Sequence, residues 1–509
     1  MFVPLTVNDF LARAQAVYGD RIAVVDEPDQ PAAPFGPLTY SQLAAAARSL
    51  AGALDELGVP VGGRVAIASQ NSARLLTSFY GVSGSGRVLV PINFRLAEPE
   101  VRYIVEHSGA EVLLVDPELD QSVSSVTARH RFVLGESDDL LFSPGRIGEV
   151  WQPDENATAT INYTSGTTAR PKGVQLTHRN IWMNAVTFAL HVTMNDRDVL
   201  MHTLPMFHAN GWGTPFAITG VGGRHIVLRK VDGAEILRRV EEHGVTLMCG
   251  APAVWASVLD AAATWDGPIP GRDRVRIVVA GAPPPTRTIE RIETELGWEF
   301  IQIYGLTETA PLLTVNRQRS EWDELPIGER AKLLGRAGVP ALGVELDVDP
   351  GGEILARGNV VLESYWEQPE QTAEALAGGW FHTGDGGTYE NGYVTISDRK
   401  KDVIVSGGEN VSSIEVEDVL ASHPHVREVA VVGTPDERWG EAVTALIVTD
   451  GTPVTADEII AHCRQSLAGY KCPKRVEFRE SLPRTSTGKL QKFLLRQDFW
   501  AGEERSIKG

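Results

Sequence analysis

Tyr163-Thr-Ser-Gly-Thr-Thr-Ala-Arg-Pro-Lys-Gly-Val174 gathers four small hydroxyl side chains, two glycines and a lysine into one short stretch. Thr164, Ser165, Thr167 and Thr168 surround Gly166, and Lys172 stands just before Gly173. Hydroxyls, backbone N–H groups and one ammonium can therefore converge on a polyphosphate. The Gly-x4-Gly-Lys-Ser/Thr spacing of the common NTPase loop is absent, because Lys172 precedes its glycine and Val174 follows it. Apolar-rich flanks at residues 159–162 and 174–176 read as two strands, which makes the stretch a tight, ordered connection.

Outward from this loop, short apolar strands alternate with helical stretches from about residue 38, the pattern of a mostly parallel sheet covered by helices. Residues 64–68, 87–91, 225–228, 245–249, 275–280 and 299–304 read as strands. Residues 73–80, 233–243 and 286–297 read as helices, the last with Thr286 as its cap. Gly81-Val-Ser-Gly-Ser-Gly86 precedes a strand and opens no helix, which rules out a dinucleotide fingerprint there. Parallel sheets bind ligands at the loops leaving their strands' carboxyl ends. Two such loops, Gly281-Ala-Pro-Pro-Pro285 and Gly305-Leu-Thr-Glu-Thr309, should open on the same edge.

The 509 residues are too many for a single core. The large N-terminal domain is expected over 1–400, with sublobes at about 1–180, 181–330 and 335–400. The last sublobe has the short alternating strands and Gly-rich turns of a small antiparallel lobe. A boundary falls at Asp398-Arg-Lys-Lys-Asp402, after which 401–509 reads as a mixed α+β domain. Apolar content of 43% and charged content of 22% are those of a folded protein. A net charge of −19 opposes a nucleic-acid or anionic-membrane surface, so any anionic ligand needs locally placed Lys and Arg. The three cysteines, Cys249, Cys463 and Cys472, have no metal or redox spacing and read as reduced thiols of a cytoplasmic protein. Residues 1–9 carry no signal pattern, and no apolar run reaches membrane-spanning length, which leaves at most peripheral membrane contact. The chain is compatible with a homodimer.

Five segments stand in a recognisable order: residues 163–174, Tyr304-Gly-Leu-Thr-Glu308, Trp380-Phe-His-Thr-Gly-Asp385, Asp398–Asp402 with Ser406-Gly-Gly-Glu-Asn410, and Pro483-Arg-Thr-Ser-Thr-Gly-Lys489. Together they resemble the adenylate-forming enzymes, which include acyl-CoA synthetases, peptide-synthetase adenylation domains and luciferases. The resemblance covers nearly the whole chain and is nearest to the AMP-dependent acyl-CoA ligases. It implies that a carboxylate attacks the α-phosphate of ATP to give acyl-AMP and pyrophosphate, and that the acyl group then passes to a thiol or another acceptor.

Carboxylate and triphosphate repel, so cations are needed where negative charge accumulates. By the resemblance, Lys489 is a mobile catalytic lysine bridging the two anions, and Lys401 is the hinge about which the C-terminal domain swings. Glu308 would hold Mg2+, and Thr307 would add a hydroxyl to the phosphates. Asp385 would accept from the ribose hydroxyls with Arg399 assisting. Gly281, Ala282 and Pro283 with Tyr304 would form the adenine slot, and Gly305 would also bind the nucleotide. Leu204-Pro-Met-Phe-His-Ala-Asn-Gly-Trp-Gly213 is similar to the segment of fatty acyl-CoA synthetases and their medium-chain relatives. There His208 lies near the reacting carboxylate, and Trp212 resembles a gate to an acyl tunnel. The segment carries no Asp, Glu, Lys or Arg, which favours an apolar acid over an amino or dicarboxylic one; the resemblance implies a fatty acid of medium or long chain. For CoA, the resemblance points to Ser406, Gly407, Gly408, Trp439, Tyr470 and Lys474. Cys472 stands where some relatives have arginine, which shifts the phosphate contact toward Lys474. An amine or a carrier protein remains the alternative acceptor.

Overall fold

The computed structural model describes residues 1–136, 139–164, 171–399, 402–436, 438–485 and 490–500, with the backbone alone at 139, 140 and 399. Two large sheets dominate the N-terminal domain. One has nine strands in the order Val339–Pro340, Leu312–Asn316, Glu299–Gly305, Arg276–Val279, Leu247–Gly250, Val199–His202, Arg224–Val227, Ile22–Val25 and Pro37–Thr39. Its interior is parallel and its edges are antiparallel. The other has seven, from Ser364–Tyr365 through Lys172–Thr177, Thr158–Thr164, Val88–Ile92, Arg64–Ala68 and Val112–Val115 to His130–Val133. Strands such as Val112–Val115 and Leu247–Gly250 are buried throughout, as a sheet covered on both faces requires.

The expected strands are present with ends shifted by a residue or two. The sublobes need correction. Ile22–Val25 and Pro37–Thr39 complete the nine-stranded sheet, and Ser364–Tyr365 edges the seven-stranded one, so neither lobe is one unbroken run of sequence. Thr286 is also corrected: it is the first residue of helix Thr286–Arg291, and the preceding Pro285 makes no side-chain cap. The helix then widens into a π turn over Ile292–Leu296.

A buried ion pair ties the two sheets together: Arg229, just past strand Arg224–Val227, meets Asp116, just past Val112–Val115, at 2.9 Å. Within the nine-stranded layer, Arg239 of helix Gly233–His243 reaches Glu27, just past Ile22–Val25, at 2.8 Å. Charges this deeply buried persist because each is matched and hydrogen-bonded; removing one partner would cost about 3–5 kcal/mol.

The four-stranded antiparallel sheet Val344–Val348, Glu353–Gly358, Phe381–Glu390 and Tyr393–Arg399 follows. The C-terminal domain has its own five-stranded sheet, in which Gly440–Thr449 pairs with Val426–Asp436, Ile404–Ser406 and Arg475–Phe478. Helices Ser413–Ala421 and Ala456–Arg464 accompany it. Asp398, on the large-domain side of the expected hinge, accepts from the N–H and hydroxyl of Ser413 at 3.0 and 2.6 Å. All three cysteines are buried and unpaired with one another.

Candidate active site

Strands Arg276–Val279 and Glu299–Gly305 are parallel neighbours, so the loops that follow them leave the same edge. His208 and Trp212 meet both loops around one cavity of about 40 Å³, lined also by Gly281, Gly305, Leu306 and Thr307. Residues assigned to the acid and residues assigned to the nucleotide thus share one space.

The acid segment takes an unusual path. Ala209, Asn210, Gly211, Trp212 and Gly213 all have positive φ, a left-handed turn. Such a conformation costs about 1–2 kcal/mol per non-glycine residue and persists only when its surroundings hold it. The holding groups are buried amides. Asn210 donates to Thr160 Oγ1 at 3.0 Å, and Asn184 donates to the Trp212 carbonyl at 3.2 Å while accepting from Leu312 N–H at 3.1 Å. Asn71 donates to the carbonyls of His202, Leu204 and Leu228 and accepts from Met206 N–H. Sequence reading missed Asn71 and Asn184, whose partners lie far away in the chain and leave no local pattern. Trp212, expected as a gate, is 4% exposed and packs with Leu204, Ala280 and Ile303 as one wall of the cavity.

On the phosphate side, strands Thr158–Thr164 and Lys172–Thr177 form an antiparallel hairpin with Thr164 opposite Lys172. Ser165, Gly166, Thr167 and Thr168, which connect them, lie outside the described residues. The Lys172 ammonium stands 4.8 Å from the centre of the Tyr365 ring. The Tyr365 hydroxyl donates to Glu308 Oε1 at 3.0 Å. Burial, and then the Glu308 charge, push the Tyr365 phenol above its usual range, so it remains a donor. Tyr365 was not foreseen, because its two-residue strand carries no motif.

Asp385 is 7% exposed and accepts from the Tyr304 hydroxyl at 2.9 Å, which joins the expected ribose and adenine residues. Arg399 stands opposite Asp385 in the strand pairing, although its side chain is outside the described set. Ala282 and Pro283 follow Gly281 on the loop but do not line the cavity. Lys401 and Lys489 lie outside the described residues.

In the C-terminal domain, Gly407 and Gly408 turn the hairpin Ile404–Ser406/Glu409–Val411 with positive φ. A Cβ on Gly407 would come within 2.8 Å of the Trp439 ring, so only glycine allows this approach. Lys474 Nζ lies 5.8 Å from the Trp439 ring centre, and the Arg438 guanidinium lies 4.8 Å from it. Tyr470 is exposed beside Lys471. Cys472 is buried, with its thiol toward the Leu467 and Ala468 carbonyls. An anion-binding surface here would rest on Lys474 and Arg438.

Among the described residues no group of three His, Cys, Asp or Glu side chains could enclose a metal. A single carboxylate, Glu308, would hold Mg2+ only together with phosphate oxygens supplied by a nucleotide. No helix of the described residues is long and apolar enough to cross a membrane.

Comparison with known proteins gives the family. Residues 11–366 match the family model of AMP-binding enzymes, and 415–489 match that of the AMP-binding enzyme C-terminal domain. A 4-hydroxybutyrate–CoA ligase of Metallosphaera sedula is 39% identical, with 97% of this chain and 94% of the relative covered. A 2-methylpropanoate–CoA ligase of Humulus lupulus is 38% identical, covering 97% and 95%. The ATP-bound structure of MatB from Rhodopseudomonas palustris, 28% identical, superposes with a TM-score of 0.85 over 98% of this chain and all (100%) of that one. The apo structure of MatB, also 28% identical, gives 0.74 over 97% and 99%. The chain belongs to the AMP-binding enzymes, and within them it is an AMP-forming acid–thiol ligase.

Proposed function

We propose that this ligase activates a short, mainly apolar carboxylic acid with Mg-ATP as acyl-AMP and transfers the acyl group to CoA. The carrying observation is the shared cavity, in which His208 and Trp212 face the loops of Gly281 and Gly305. The reading of an acid shorter than the medium- or long-chain fatty acid suggested by the sequence rests on the relatives, which include a 4-hydroxybutyrate and a 2-methylpropanoate ligase.

In this reading Lys172 and the hydroxyls of residues 164–168 receive the phosphates. Asp385, oriented by Tyr304, accepts from the ribose. His208 faces the reacting carboxylate, and Glu308, oriented by Tyr365, would hold Mg2+, whose charge offsets that of the phosphates. Lys489 would bridge carboxylate and α-phosphate, and rotation about Lys401 would then bring residues 406–410, Trp439 and Lys474 to CoA. The better superposition on ATP-bound than on apo MatB supports assigning the present domain arrangement to the adenylating step.

The test is thioester formation with Mg-ATP and CoA across acids from acetate to palmitate, aryl acids included. Highest kcat/KM is expected for acids of about butyrate size. A palmitate optimum would overturn the short-acid reading, and acyl transfer to amines without CoA would overturn the acceptor.

A further inference from the structure

One short helix of the C-terminal domain touches both the hinge region and the loop expected to hold adenine. Helix Ser413–Ala421 is bonded at Ser413 to Asp398, near the hinge. Farther along it, Asp418 reaches the large domain at Thr286, the residue directly after the loop 281–285. Asp418 Oδ1 accepts from the Thr286 N–H at 2.9 Å, and Oδ2 accepts from its hydroxyl at 3.2 Å. Both oxygens of one carboxylate are thus engaged by a single residue, in a half-buried setting where such bonds are stronger than in open water. Beside this pair, Arg287 donates to the Ser422 and His423 carbonyls at 3.4 and 3.3 Å.

Rotation about residue 401 moves Asp418 with the small domain and leaves Thr286 behind, so the pair can exist in only one of the two orientations. We propose that Asp418 is a positioning residue for adenylation, holding the small domain in the arrangement assigned to that step while fixing the end of the adenine loop. This rests on the assignment of the present arrangement to the adenylating step. The coupling runs both ways: nucleotide that orders the 281–285 loop presents Thr286 to Asp418, and docked Asp418 steadies that loop.

The test separates the half-reactions in the full-length enzyme. Acyl-AMP formation is followed by single-turnover pyrophosphate release, and thioester formation is followed from synthetic acyl-AMP and CoA. Asp418→Ala should slow adenylation about tenfold, the lower range for losing bonds to a charged acceptor. Asp418→Asn, whose amide oxygen can still accept from the Thr286 N–H, should fall between Ala and wild type. Thioester formation should stay within about twofold of wild type, because the pair is absent in that orientation. Equal loss of both half-reactions, the result of a merely structural role, overturns the proposal, and so does unchanged adenylation. Should Asp418→Ala misfold, the Asn variant decides by the same criteria. Selective loss of thioester formation would overturn both the role of Asp418 and the assigned orientation. Selective loss of adenylation in Lys489→Ala, with Asp418→Ala unaffected, would keep the assignment and remove only Asp418.

Discussion

The Tyr365 hydroxyl lies 3.0 Å from Oε1 of Glu308, and the face of the same ring carries the Lys172 ammonium at 4.8 Å. One aromatic side chain therefore sits between the carboxylate proposed for the metal and the cation proposed for the phosphates. Its phenol, held protonated by burial, can only donate to Glu308 at neutral pH. Tyr365→Phe keeps the ring beneath Lys172 and removes this donor. The expected result is a several-fold higher requirement for Mg2+, as outer partners of a metal ligand typically change metal affinity by about 10-fold or more. The KM for the acid should not move. Titration of activity against Mg2+ at saturating ATP checks this, and an unchanged Mg2+ dependence would refute the orienting role.

Lys489→Ala should abolish acyl-AMP formation and largely spare thioester formation from pre-made acyl-AMP. Adenylation brings two anions together and needs a cation between them, whereas thioester formation starts from an acyl-AMP in which that repulsion has already been overcome. The division of labour is read out by pyrophosphate release in one assay and CoA consumption in the other. Equal loss in both would mean that the lysine supports the fold or both steps alike.

Local pattern made much of this molecule legible. Apolar runs such as Val112–Val115 and the capped helix Gly233–His243, with Asp232 accepting from Glu235 N–H, carry their structure in adjacent residues. The ligand loops could be placed because strand order in a parallel sheet fixes the edge from which they leave. What stayed hidden was contact between distant segments. The N-terminal strands that cross into the nine-stranded sheet, Asn184 between Trp212 and Leu312, and Tyr365 beside Glu308 depend on tertiary neighbours that periodicity does not encode. The left-handed path of Ala209–Gly213 was hidden for a related reason, since Gly211, Gly213 and Asn210 accept it by residue type whereas Ala209 and Trp212 do not.

Asn184 makes that path testable. Asn184→Ala strands the Trp212 carbonyl and the Leu312 N–H, both served by this one buried amide. Each unpaired buried group costs about 1–3 kcal/mol, so stranding two of them should lose roughly 2–6 kcal/mol of stability in urea unfolding. Because the freed segment carries His208 and Trp212, the KM for the acid should rise more than the KM for ATP. A matched rise in both would place the effect outside the acid wall.

Acid sensitivity should come from buried histidines that the proposed chemistry does not use. His202 Nε2 and His225 Nδ1 lie 2.9 Å apart in stacked rings, and His225 Nε2 lies 3.0 Å from the Thr219 hydroxyl. Burial lowers His202 to about 3 and His225 well below its usual value, the latter helped by its neighbour. Burial also lowers His178 to about 4. Each of these groups binds a proton less readily folded than unfolded. Above the unfolded value of about 6.5 they cost nothing; as pH falls below it, the unfolded chain gains protons that the folded chain refuses. Stability should therefore decline at about 1.4 kcal/mol per pH unit for each such histidine, from about pH 6.5 down to the folded values. His202→Gln can lower overall stability, yet it should make the decline between about pH 6 and pH 5 shallower by roughly one histidine's share. Urea unfolding of both proteins at the two pH values measures that difference in slope, and parallel lines would show that the pair does not set it.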